Sequence, residues 1–323
     1  MAWPCRASRW FDMKWTHKAF LQNLFAGLPD PIGPALYYRM QRHFGGLRRP
    51  EPMSRLRAGL RMAELLRQEG HDIAGRRVLE IGTGHQLNLP IALWLCGAAE
   101  VTTVDRNRYL KHELIREDLR QIAARHEEIR AQFGASCAHR LARLLELAER
   151  PPPLAELLAA MNIRYLAPAD AAALPLAASS IDYHVSFAVL EHIPVLDLSA
   201  ILREGLRLLD RNGLFAHCID FSDHFSHDDP GITSINFLQF SEEAWTGYAG
   251  NRYMFHNRLR LDEFLALIAT AGLSLKHMET SVDEQALDCL KRGFPLHDRF
   301  RTKNPHTLAT GNAWVVAAGR AES

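Results

Sequence analysis

Between residues 220 and 229 the chain reads Asp220-Phe221-Ser222-Asp223-His224-Phe225-Ser226-His227-Asp228-Asp229, a run of groups able to move protons or bind cations. An imidazole titrates near neutrality, so His224 with Asp223 beside it suits a general base that takes a hydroxyl proton. The same residue types can ligate a divalent ion, or can satisfy one another as the hydrogen bonds of a lid. Neighbouring side chains of one loop point in different directions, so this spacing by itself assigns no metal site. Further on, Tyr253, His256, Asn257 and Arg258 follow Trp245 and Tyr248. Aromatic faces stack on rings and an Arg fork binds carboxylate or phosphate, which suits a flat or glycosyl acceptor. The competing reading is that the aromatics pack this segment onto the rest of the fold. His192 reads as a packing or capping residue.

A second constellation lies upstream. Val78-Leu79-Glu80-Ile81-Gly82-Thr83-Gly84-His85 is a short apolar run that ends in two glycines two apart. Glycines so placed permit a tight turn and close approach of the backbone to a ligand. The third glycine of a dinucleotide fingerprint is absent, since Leu87 holds that position. Glu80 would repel a pyrophosphate but suits a cationic ligand. Asp105 ends the next apolar run, where a carboxylate can take two ribose hydroxyls. Asp170 follows a third run and could accept from an exocyclic adenine amine.

Elements must position these residues. Arg77–Ile81, Glu100–Val104, Ile163–Leu166, Ile181–Phe187 and Leu214–Ile219 read as short buried strands, and Leu273–Thr280 and Ala313–Gly319 as two more. Helical periodicity covers residues 14–28, 35–43, 53–69, 89–96, 154–161, 196–209 and 261–271. Residues 107–150, rich in Arg, Glu, Leu and Ala, read as one or two long helices. The alternation demands an α/β fold, a mainly parallel sheet with helices on both faces. Ligands of such sheets bind beyond the carboxyl ends of the strands, at the switch point. Each motif above falls at such an end.

The segments VLEIGTG (78–84), VTTVD (101–105), PADAAALPLAASSIDYHVSFAVLEHI (168–193) and RLLDRNGLFAHCID (207–220) together resemble the class I S-adenosylmethionine-dependent methyltransferases, in the small-molecule branch called methyltransferase type 11. Two departures stand out. His85 replaces the usual third glycine of the first motif, and Arg211-Asn212-Gly213 replaces the usual Pro-Gly-Gly. The resemblance implies a Rossmann-like seven-stranded sheet with an antiparallel last strand, and S-adenosyl-L-methionine as cofactor. It implies that Glu80, Gly82, Thr83 and Gly84 line the methionine moiety and that Asp105 holds the ribose. Asp170 and Ala171 would flank the adenine, and Leu190 and Glu191 would close the cofactor from the fourth strand. The N-terminal stretch LQNLFAGLPD…LYYRMQRHFGGL and the segments IDFSDHFSHDDPGITSINFLQFSEEAW (219–245) and NRYMFHNRLR (251–260) further resemble bacterial methyltransferases of surface-polysaccharide and secondary-metabolite biosynthesis. The expected organisation is a helical cap over 1–75 and a methyltransferase domain over 76–323. That domain carries a helical insertion at 107–161 and an acceptor-site lid at 221–258.

Composition bounds the rest. With 323 residues, 47% hydrophobic and 23% charged, the chain can bury a full core. A formal net charge of +1 disfavours a nucleic-acid binder. Residues 1–60 are more basic and read either as a solvated helical face or as a weak peripheral contact with an anionic surface. No apolar run spans a membrane, and the opening residues lack the apolar stretch of a signal peptide. Five dispersed cysteines argue against a disulfide framework and suit a reducing cytoplasm. The expected function is methylation, by O-transfer, of a small-molecule or glycosyl acceptor. The alternatives are a nicotinamide-dependent oxidoreductase, which Glu80 and Leu87 oppose, and a catalytically silent cofactor-binding module.

Overall fold

The computed structural model describes residues 14–49 and 51–319. The thirteen residues that open the expected cap lie outside the described residues. Three helices come first: α1 (Trp15–Ala26), α2 (Ile32–Phe44) and α3 (Pro52–Gln68). The third has clear local causes. Glu51 accepts from the Ser54 amide at its start, and Pro52 supplies a preset φ in the first turn. It buries Met53, Leu56, Met62, Leu65 and Leu66 against the sheet. Gly59 lets it approach the next helix closely, since a Cβ there would lie 2.4 Å from Ala92 Cβ.

The α/β portion then runs β1 (Arg77–Ile81), α4 (Asn88–Leu95), β2 (Glu100–Val104), α5 (His112–Ala124), α6 (His126–Phe133), α7 (Ala138–Glu149), α8 (Leu154–Ala160), β3 (Ile163–Leu166), β4 (Ile181–Phe187), α9 (Val195–Leu208) and β5 (Leu209–Asp220). The long crossover is three α-helices with a 3-10 turn, not one or two. A break at Arg125 and a left-handed Gly134, φ 77°, fold it back on itself. Amphipathic periodicity alone does not reveal such breaks. The chain continues with α10 (Glu242–Ala249), α11 (Leu261–Thr270), β6 (Leu273–Val282), α12 (Glu284–Lys291), α13 (Asp298–Arg301), α14 (Pro305–Ala309) and β7 (Thr310–Gly319).

The seven strands form one sheet in the order β3-β2-β1-β4-β5-β7-β6. Pairings from β3 to β5 are parallel, and β7 runs antiparallel to both β5 and β6. This is the Rossmann-like architecture expected. One face of the sheet is covered by α3, α4, α5 and α7, the other by α9 and α11. The strand order reverses between β1 and β4, so a crevice opens at their carboxyl ends.

A third apolar cluster lies outside the sheet, under residues 221–258. Phe225, Phe237, Trp245 and Phe300 form its centre, with Ala19 of α1. Trp15 packs its ring against Phe225, Phe240 and Tyr248. The first helix is therefore held by the lid segment, and α3 by the sheet. Among the described residues, no helix is long and apolar enough to cross a membrane.

Candidate active site

A cleft of about 1020 Å³ opens at the switch point. That is the size of a roomy cofactor site, which runs about 300–1,000 Å³. Its floor is Ile81 at the end of β1, Gly82 after it, and Asp105, Asn107 and Tyr109 after β2. Asp170 and Ala171 after β3 form one wall, and Val189, His192 and Ile193 after β4 another. Asn251, Arg252 and Phe255 of the lid close the far side. Of the residues expected to meet the cofactor, Gly82, Asp105, Asp170 and Ala171 thus share one surface.

The turn after β1 has the geometry its glycines permit. Gly82 adopts φ 90° and Gly84 φ 66°, both left-handed. A Cβ on Gly82 would lie 2.5 Å from Val189 Cγ2, so only glycine lets the ends of β1 and β4 stand this close. A Cβ on Gly84 would meet nothing within 4 Å. Asp105 fixes the turn, accepting from the Gly84 amide at 2.9 Å and from the Asn107 amide at 2.9 Å. Burial raises its pKa against the pull of those amides. Asp170 accepts from the Ala172 amide at 2.9 Å, which aims its loop.

Glu80 and Thr83 sit beneath this surface, not on it. Thr103 donates to the Glu80 carboxylate, and the Thr103 and Thr83 hydroxyls are 2.5 Å apart. Burial pushes Glu80 up to about 7, opposed by the Thr103 hydrogen bond and the Arg55 charge. Leu190 belongs wholly to the core. His85, at the departure from the family pattern, is stacked between Tyr38 of α2 and Tyr109. The ring that occupies the glycine position thereby ties the N-terminal helices to the cofactor turn.

On the acceptor side the structure regroups the expected residues. His224 pairs with Asp220, its Nε2 3.4 Å from Asp220 Oδ2, and not with its sequence neighbour Asp223. The Asp223 carboxylate is turned inward, accepting from the Phe225 amide and from Asn236 Nδ2. It is a cap of the local turn, because a short aspartate at that position reaches the amide two residues on. Burial lowers the His224 pKa, but the hydrogen bond and charge of Asp220 and the charge of Glu191 outweigh it, and the net shift is upward.

His192 does pack, its Nδ1 2.7 Å from the Phe255 carbonyl, but packing is not its only position. It lines the cleft, and its ring centroid is 4.8 Å from that of His224. His256 packs against both, at 5.9 and 5.5 Å. Sequence reading missed His192 because it is 32 positions from His224; only the parallel pairing of β4 with β5 brings their ends together.

Three residues expected to touch the acceptor have other work. Arg258 is 1% exposed; it donates to the Phe237 and Phe240 carbonyls and pairs with Glu242 at 2.7 Å. Asn257 donates through Nδ2 to the Leu190 and Ile193 carbonyls at 2.9 and 3.0 Å, and its amide to the Glu191 carbonyl at 2.8 Å. It therefore pins the loop after β4. Tyr253 stacks on Tyr37 of α2. Arg252, which was not expected, reaches across the cleft rim to Asp30 at 2.7 Å.

Residues 142–217, which hold β3 to most of β5, match the family model described as "Methyltransferase domain". No curated protein matches the chain. Among solved structures, a SAM-dependent methyltransferase of Methanosarcina mazei is similar at 18% identity and a TM-score of 0.42, over 80% of this chain and 98% of that one. A putative methyltransferase of Bacillus halodurans is similar at 13% and 0.40, over 79% and 97%. An S-adenosylmethionine dependent methyltransferase of Mesorhizobium loti is similar at 14% and 0.42, over 79% and 95%. Likenesses this remote carry nothing about substrate.

Proposed function

From the match of residues 142–217 to a methyltransferase domain and the class I sheet order, we propose that the chain is an S-adenosylmethionine-dependent methyltransferase that methylates a hydroxyl of a small-molecule or glycosyl acceptor. The observation that supports this reading is the placement of His192. It lies on the wall of the cleft that holds Gly82, Asp105 and Asp170, and in ring contact with His224. One proton-handling group therefore lines the cleft itself, with His224 in contact behind it.

The cleft fits the cofactor. Gly84 faces open space, Gly82 closes the gap to β4, and Asp105 presents a carboxylate at the end of β2. Asp105 would hold the ribose and Asp170 and Ala171 the adenine. Glu80, buried behind the turn, would favour the positive charge of the methionine end. When bound, S-adenosylmethionine supplies an electrophilic methyl group on a sulfonium. The O–CH₃ bond forms as the S–CH₃ bond breaks, and sulfur keeps the electron pair. The protein's share is to bring the acceptor oxygen within about 3–3.5 Å and in line, and to receive its proton. His224 is placed for that second task, with Asp220 behind it to stabilise the imidazolium.

The lid has the aromatic character that suits a ring-bearing acceptor, with Phe255 and Arg252 on the cleft and Tyr253 braced by α2. Its likeness to the lids of surface-polysaccharide and secondary-metabolite methyltransferases supports a biosynthetic role. Cys96, Cys137, Cys218 and Cys289 are unpaired, which accords with the cytoplasm. The test has two arms. Calorimetry should show binding of S-adenosylmethionine and none of NAD. Mass spectrometry of acceptor panels (glycosides, phenols, hydroxy acids) should then show a gain of one methyl on a hydroxyl-bearing compound. Binding of NAD instead would reject the reading; cofactor binding without product from any hydroxyl acceptor would reject O-transfer.

A further inference from the structure

Three side chains able to ligate a metal converge at the acceptor side. We propose that Glu191, His192 and His224 hold a divalent transition-metal ion there. One ligand atom from each lies within 4.8 Å of the other two. This inference rests on the function proposed above and deepens it.

The hydrogen bonds decide which atoms are free. The Phe255 carbonyl, 2.7 Å from His192 Nδ1, can only accept, so Nδ1 carries the ring proton and Nε2 presents a bare lone pair. That Nε2 is 4.0 Å from Glu191 Oε1. Glu191 is 1% exposed, and its carboxylate meets no side-chain hydrogen-bond donor, only the backbone amides of Glu191 and Asp220. A buried carboxylate left this way is costly unless a cation or proton meets it. Arg55, the guanidinium whose charge acts on Glu191, directs its Nη1 to the Phe187 carbonyl instead. His224 Nε2 is buried and its one near polar contact is Asp220 Oδ2 at 3.4 Å, an ion pair that a metal ion would replace. His256 is not a ligand: its Nδ1 accepts from the Arg258 amide, so its Nε2 bears the proton.

The surroundings are those of a metal site. A ligating histidine commonly donates its other N–H to a carbonyl, as His192 does. Asn257 fixes the loop that carries Glu191 and His192 through three hydrogen bonds. Ligand atoms of one ion with bonds of about 2.0–2.2 Å stand roughly 3–3.5 Å apart, so loading closes the three side chains by about 1 Å. Two imidazoles and one carboxylate suit ions such as Zn²⁺, Co²⁺ or Mn²⁺ and leave coordination positions open. Of the three, His192 lines the cleft, so an ion held by it would stand at the cleft wall. An acceptor with two adjacent oxygens, a vicinal diol, would chelate there, and its bound hydroxyl would give up a proton more readily. With an ion there His224 would be a ligand and no longer a base, and the acceptor's proton would leave to solvent.

The experiment uses the full chain, freed of metal by chelator and titrated with Co²⁺. One Co²⁺ per chain should bind, with the ligand-field absorption of an imidazole-bound ion. His224→Ala and Glu191→Gln should each weaken binding beyond the roughly 10–100-fold that loss of an outer-shell partner costs, and His306→Ala, remote from the site, should not. Should Glu191→Gln fail to fold, His224→Ala and His192→Ala decide. Absence of stoichiometric binding to wild type, or binding unchanged in His224→Ala, overturns the proposal. Calorimetry with S-adenosylmethionine on the same metal-free protein separates the two readings. Cofactor binding without Co²⁺ binding removes the metal site alone; Co²⁺ binding without cofactor binding removes the methyltransferase reading.

Discussion

Tyr37 of α2 and Tyr253 of the lid stack with ring centroids 3.8 Å apart and 17° between planes. With Asn23, which donates to the Gly247 carbonyl, this contact makes the N-terminal helices part of the lid. Tyr37→Ala should cost about 0.5–1.5 kcal/mol of the aromatic pairing beyond lost area. Turnover should fall more than melting temperature. A variant that keeps full turnover would show that the lid needs no brace from α2.

Gly82 is where backbone and function meet most tightly. Gly82→Ala must push its Cβ into Val189 and hold a left-handed φ. The expected outcome is a folded protein, by circular dichroism, whose affinity for S-adenosylmethionine drops at least tenfold. Gly70→Ala, also left-handed but with open space around it, serves as the control and should lose only stability.

Asp105→Ala should weaken cofactor binding by about 1.5–3 kcal/mol, the scale of hydrogen bonds to a charged group. Part of that loss comes through the Gly84 turn, which Asp105 holds. Asp105→Asn, which keeps an acceptor oxygen for the Gly84 amide, should lose less. Equal affinity in wild type and Asp105→Ala, measured by calorimetry, would remove the ribose from this position.

Asp223 and Asp220 should separate cleanly. Asp223→Asn places a donor against Asn236 Nδ2 and leaves the turn mispaired, for a stability loss of about 1–3 kcal/mol. Its effect on turnover should follow the unfolded fraction alone. Asp220→Asn should lower turnover in folded protein. Denaturation curves and initial rates on the two variants settle which aspartate serves His224.

A pH prediction comes from Asp118 of α5, remote from the acceptor side. Burial pushes it up to about 7, against hydrogen bonds from Asn88 and Gln86. Its folded pKa lies above the unfolded value of about 3.9, so the native state binds more protons between the two. Stability contributed by this group is therefore fully present below about 4 and falls as pH rises toward about 7. The slope is at most about 1.4 kcal/mol per pH unit. Asp118→Asn should flatten the wild-type profile across that window. Superimposable profiles for the two proteins would show that Asp118 is ionised in the folded state with an ordinary pKa.

Local chemistry made much of this protein legible in its sequence. Arg77–Ile81 and Glu100–Val104 begin and end where apolar runs meet Gly82 and Asp105, because a buried parallel strand tolerates no interruption and a glycine turn needs no partner. That Gly82, Asp105, Asp170 and Ala171 would share a cleft was legible too, since Gly82 and Asp105 are the first residues beyond their strands, Asp170 and Ala171 the fourth and fifth, and the sheet order is set by right-handed crossovers. The acceptor side was not legible in this way. Asp223 and His224 are adjacent in the chain yet face different partners, while His192 and His224 meet only because β4 and β5 lie side by side. Arg258 looked like a ligand for an anion but spends its donors on the carbonyls of Phe237 and Phe240. Residue type states what a side chain can do; which atoms remain unpaired depends on every hydrogen bond around it, and that sum exists only in the folded molecule.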